Sequence, residues 1–88
     1  ARTSWVLSAR ILLATGEYTR ALACFDGYLG GGATGPLAPE AMAGRASALE
    51  GLGRGEAARE QWRALLKRFP RSSASARARS RLAEEGSP

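Results

Sequence analysis

The stretch Gly53–Pro70, GRGEAAREQWRALLKRFP, holds a turn, an amphipathic run and a proline stop, and a weaker copy of it lies earlier in the chain. Gly16 pairs with Gly53, Ala21 with Ala58 and Phe25 with Trp62, each at an offset of 37 residues. A fixed period between about 20 and 50 residues is the signature of a repeat architecture, in which each unit buries its apolar face only by stacking on a neighbour. The chain is therefore expected to be a stack of helical hairpins. Within the second copy, Ala58, Trp62, Leu65, Leu66 and Phe69 fall on one helical face, and Arg59, Arg63 and Lys67 on the other. Gly53 and Gly55 bracket the turn before it, and Pro70 pushes the preceding residue out of the α region.

The remaining helices follow from the same signals. Residues 3–15 predict a first helix capped by Thr3 or Ser4, with Trp5, Ala9 and Leu12 as its stripe and Ser8 as a small residue at a close contact. Gly16 closes it. Residues 18–29 predict a second, with Tyr18, Ala21, Leu22, Phe25, Tyr28 and Leu29 on one side. A short connection makes the two antiparallel neighbours, and Ala9 and Ala21 let them approach closely. Residues 30–37, GGGATGPL, read as the connection between hairpins, because a phosphate cradle would need a strand before it and a GK[ST] after it. Residues 39–52 predict a third helix with Pro39 in its first turn and Met42, Ala46 and Leu49 as its stripe. Gly44 and Gly51 weaken it, each by about 0.8–1.0 kcal/mol relative to alanine, unless close packing requires them. Residues 55–69 form the fourth helix. Residues 72–84 form a fifth, capped by Ser72 or Ser73, with a narrow stripe of Ala74, Ala78 and Leu82; its polar remainder suits a terminal cap.

Composition narrows the function classes. Eighty-eight residues make one small domain, spanning 1–88, that buries roughly 60–65% of its unfolded surface. There is no histidine, which removes the commonest general base and metal ligand. The single Cys24 excludes an internal disulfide and a cysteine zinc site, and reads as a small buried hydrophobe. No catalytic residues, metal or cofactor are expected. No apolar run reaches the ~18–20 residues of a membrane span. Residues 1–44 carry three basic and three acidic side chains, residues 45–88 ten basic and five acidic, so the whole net charge of +5 lies in the second half.

These residues resemble the tetratricopeptide repeat, whose pattern is W-x2-L-G-x2-Y, A-x3-F and P. The first unit (4–30) offers Trp5, Ser8, Ala9 and Leu12, then Ala21 and Phe25; the second (39–70) offers Met42, Arg45, Ala46 and Leu49, then Ala58, Trp62 and Pro70. The usual Leu-Gly pair is replaced by Ser8-Ala9 and Arg45-Ala46, and the first unit lacks its proline. The family's regular period is 34, so the 37-residue offset puts about three extra residues in the loop at 30–37. The resemblance implies an all-α, right-handed superhelix of about two and a half repeats, with 72–84 as the capping helix. The segment RFPRSSASARARSRL is also similar to the end of a bacterial group that includes the Tol-Pal accessory protein and the lipoprotein of the outer-membrane assembly machine. That similarity implies a periplasmic or envelope location.

By the same resemblance the function is a non-enzymatic protein–protein scaffold binding a peptide on the concave face. The family's pattern carries that face onto Val6, Arg10 and Leu13, onto Ala43, Ser47 and Glu50, and onto Arg77 and Arg81. Arg77 and Arg81 are four apart with no acidic residue three or four positions N-terminal to offset them, so an acidic partner suits them and Arg10. The alternative is a nucleic acid or other polyanion, since seven of the thirteen basic residues lie between Arg63 and Arg81. No aromatic residues are expected to be interleaved with the exposed charges as a base-stacking platform, which argues against it. Unpaired terminal faces of so short an array can also stack between chains.

Overall fold

Two glycines fix the corners of the molecule. In the computed structural model Gly16 has φ +82° and Gly53 φ +78°, the left-handed region that a side chain enters at a cost. Around Gly16, the amide of Gly16 donates to the Leu13 carbonyl (3.1 Å) and that of Glu17 to the Leu12 carbonyl (2.9 Å). Around Gly53, the amide of Gly53 donates to Glu50 (3.0 Å) and that of Arg54 to Leu49 (2.8 Å). Both are Schellman motifs, and every participating residue is displaced by the same 37 positions. Replacing Gly53 by alanine should cost about 1–2 kcal/mol in chemical denaturation, because nothing crowds the site and the whole penalty comes from the backbone. A neutral Gly53→Ala would mean that the turn adopts another conformation.

The structure describes residues 2–30 and 36–86, and the side chains of 6–30 and 36–84. Five helices follow one another: α1 (Arg2–Ala14), α2 (Tyr18–Leu29), α3 (Ala38–Gly51), α4 (Gly55–Arg68) and α5 (Ser73–Gly86). The described residues contain no strand. Thr3 and Ser4 lie inside α1, so neither is its cap, and the Trp5 side chain lies outside the described residues, as does loop segment 31–35. Pro39 sits in the first turn of α3. Ser72 caps α5, its Oγ accepting the Ala74 amide at 3.1 Å. Tyr28 Oη accepts the Leu37 amide at 3.0 Å, which ties the far end of the loop back onto α2.

Each helix packs on the next, and in addition α1 touches α3 and α3 touches α5, whereas α2 and α4 do not meet. The odd-numbered helices therefore line the inner side of the stack. Two cores result. The first joins Val6, Ala9, Ala21, Phe25, Tyr28, Ala41 and Ala48; the second joins Met42, Ala43, Ala46, Trp62, Leu65, Ala74 and Ala78. Helix α3 belongs to both, and its small residues permit this. A Cβ on Gly44 would come within 2.2 Å of the Phe25 ring, and one on Gly51 within 2.5 Å of the Tyr18 ring. The two glycines that weaken α3 as an isolated helix are the ones that let α2 lie against it.

The burial pattern of α5 repeats that of α3 at a spacing of 34: Ala41, Gly44 and Ala48 correspond to Ser75, Ala78 and Leu82, all turned into the core. Only the interval containing loop 30–37 is longer. Ser75 is a buried polar residue that the apolar pattern does not reveal; its Oγ donates to the carbonyls of Pro70 (3.0 Å) and Ser72 (2.5 Å). Cys24 is half-buried against the first core. Ser8, expected at a close helix contact, is exposed; its counterpart 37 residues on is Arg45, on the outer side of α3.

Candidate functional site

The inner layer of α1, α3 and α5 is where the expected partner-binding residues fall, and the structure sorts them into three kinds. Val6 is 2% exposed and Ala43 fully buried, so both are core and neither presents a side chain to a partner. Val6 belongs to the first core, with residues of α2 and α3, and Ala43 to the second, with residues of α4 and α5. Leu13 is half-buried and packs against the first core. Arg10 and Arg77 are exposed, and Ser47 is half-buried between them along the layer.

Glu50 and Arg81 are bound to each other. Glu50 Oε1 accepts from an Arg81 terminal nitrogen, and Oε2 accepts Arg81 Nε at 3.2 Å. Oε2 also accepts Trp62 Nε1 at 2.9 Å. One carboxylate thus ties α3 to α4 and α5 through a two-pronged arginine contact and an indole N–H. The Arg77–Arg81 pair, which has no acidic residue three or four positions N-terminal to it on its own helix, is offset at Arg81 from another helix. With Glu50 only 19% exposed, the link is primarily structural.

A second clamp works on the opposite side of α3. Arg45 lies five residues before Glu50, about 140° round the helix. Its Nε donates to Asp26 Oδ1 (2.5 Å) and a terminal nitrogen to Gln61 Oε1 (2.7 Å), joining α2, α3 and α4. The outer face of α4 carries Glu56 and Arg59, paired at 3.7 Å, followed by Glu60, Arg63 and Lys67. Much of the basic excess is thus interspersed with acidic partners or tied to the fold. Arg79 likewise donates to the Pro70 carbonyl at 2.7 Å.

The family model for the tetratricopeptide repeat matches residues 6–62 and again residues 44–87. The chain belongs to the tetratricopeptide repeat family. Comparison with curated proteins and with solved structures gives no match. Tetratricopeptide repeats generally mediate protein–protein interaction and are typically non-enzymatic scaffolds. Among the described residues no helix is long and apolar enough to cross a membrane. In this repeat the position usually held by the leucine of the Leu-Gly pair is Arg45, and its clamp to Asp26 and Gln61 explains how an arginine is accommodated there.

Proposed function

We propose that this tetratricopeptide repeat domain binds an acidic peptide segment of a partner protein along the inner layer of α1, α3 and α5. The observation that carries the reading is the pair of exposed arginines, Arg10 on α1 and Arg77 on α5, at the two ends of a layer whose middle offers Ser47. Arginine presents a planar fork of donors that matches a carboxylate, and exposed charges at the rim give affinity that falls with salt. Arg81 contributes its remaining surface, 42% of the side chain, while its guanidinium holds Glu50. The similarity of the Phe-Pro-Arg-Ser segment to bacterial envelope proteins supports a periplasmic or cell-envelope location on this reading.

Charge reversal at Arg10 and Arg77 tests it. Binding of a fluorescein-labelled peptide of alternating glutamate and alanine should weaken at least tenfold in the Arg10→Glu, Arg77→Glu protein, with the melting temperature unchanged. Arg81→Glu is a different experiment: it sets a second carboxylate against Glu50 and should lower the melting temperature. If the Arg10, Arg77 double variant keeps full affinity, or if single-stranded DNA binds more tightly than the peptide, the inner-layer reading fails.

A further inference from the structure

We infer that the outward face of α1, formed by Leu7, Ile11 and Ala14, docks an antiparallel amphipathic helix of a partner protein that carries alanine or glycine opposite Leu7 and Ile11. Leu7 is 54% exposed and Ile11 66%, and they are the large apolar side chains that the described surface leaves in water. At i, i+4 and i+7 the three residues form one stripe. The molecule itself shows what covers such a stripe. Thirty-seven residues on, the same positions are Gly44, Ala48 and Gly51 of α3, and this is the face on which α2 lies, with the rings of Phe25 and Tyr18 pressed against the two glycines.

The interface continues across the repeat with its sizes reversed. On α3 the recipient helix is small and the incoming helix large. On α1 the recipient carries the large residues, so an incoming helix with aromatic knobs would collide with Leu7 and Ile11, and one with small residues would seat at the same distance. The opposite end of the stack is built differently. The outward face of α5 presents Ala76, Ser80 and Ala83, where α3 has Met42, Ala46 and Leu49 at a spacing of 34, so that end is finished with small and polar residues. Among the described residues the exposed large apolar side chains are thus both on α1, next to each other on one stripe. A second copy of the chain is a poor occupant: three side chains of one helix fall far short of the ~800 Å² per partner of a stable dimer, whereas a single amphipathic helix engages through a narrow row of anchors at i, i+4 and i+7.

The test is methyl NMR on the full chain with two stapled helical peptides of sequence 15–30, both carrying Cys24→Ser. One keeps Tyr18 and Phe25, and the other carries Tyr18→Ala and Phe25→Ala. The small-faced peptide should shift the Leu7 and Ile11 methyl signals, the aromatic peptide should bind at least tenfold more weakly, and Leu7→Glu with Ile11→Glu should abolish binding of the small-faced peptide, read as fluorescence anisotropy of a labelled copy, while leaving the circular dichroism spectrum unchanged. Equal or stronger binding of the aromatic peptide, no binding of either, or shifts confined to other helices would overturn the inference. So would a concentration-dependent dimer lost in the Leu7→Glu, Ile11→Glu protein, which would assign the face to a second copy.

Discussion

Trp62→Ala should destabilise the domain by about 3–5 kcal/mol, the range for deleting a fully buried large aromatic. Trp62 is 0% exposed and heads the fully buried side chains by volume. It fills the second core between Met42, Ala43 and Ala46 of α3, Leu65 of α4 and Ala74 and Ala78 of α5, all small or single-stem residues that cannot collapse into the space an indole vacates. The change also removes the indole N–H from Glu50 Oε2. Trp62→Phe separates the two effects: it keeps much of the volume and loses the hydrogen bond, for an expected cost of about 1–2 kcal/mol. Urea unfolding followed by far-ultraviolet circular dichroism would measure both. A loss below about 1 kcal/mol for Trp62→Ala would mean that the indole does not hold α3, α4 and α5 together.

The second large effect lies in the first core, and its sign is the informative part. Phe25→Ala should cost about 3–5 kcal/mol, since Phe25 is also fully buried. Gly44→Ala should improve the intrinsic helix propensity of α3 by about 0.8–1.0 kcal/mol. It nevertheless should destabilise by about 1–3 kcal/mol, because the new methyl group meets three carbons of the Phe25 ring at 2.2–2.7 Å in a packed interior. In the Phe25→Ala background that obstacle is gone, and Gly44→Ala should turn neutral or stabilising. The double-mutant cycle therefore predicts a coupling of the kind neighbouring residues show. Additive effects would mean that α2 does not rest on Gly44.

The helices and corners were legible in the sequence because glycine and proline speak locally. Gly16 and Gly53 stop helices by a backbone conformation that few other residues share, and Pro70 stops one by sterics. Phe25 and Trp62 were legible as core because both sit in the middle of a stripe with a one-sided helical face. The inner layer was not. A helical wheel assumes one buried face and one wet face, but α3 is covered by α2, α4, α1 and α5, so Ala43, which a wheel assigns to a free side, is enclosed. Val6 is enclosed on α1 because both α2 and α3 pack against that helix. Small residues permit this crowding without announcing it, since alanine is as common on surfaces as in cores.

The two clamps were also illegible. Arg81 and Glu50 are separated by 31 positions and Arg45 and Asp26 by 19, and no local spacing rule links residues on different helices. The position of Arg45 in the repeat pattern was the available signal, because a charged residue at a place usually held by leucine needs a partner. Ser75 gave even less warning, its hydroxyl being satisfied by backbone carbonyls at the α4–α5 corner.

The most direct test of the account is a map of which backbone amides respond when the isotope-labelled domain is titrated with the alternating glutamate–alanine peptide. Inner-layer binding predicts shifts along α1, α3 and α5, largest around Arg10, Ser47 and Arg77, with α2 and α4 silent and the response shrinking as salt rises. Shifts concentrated on the outer face of α4, at Arg59, Arg63 and Lys67, would contradict it.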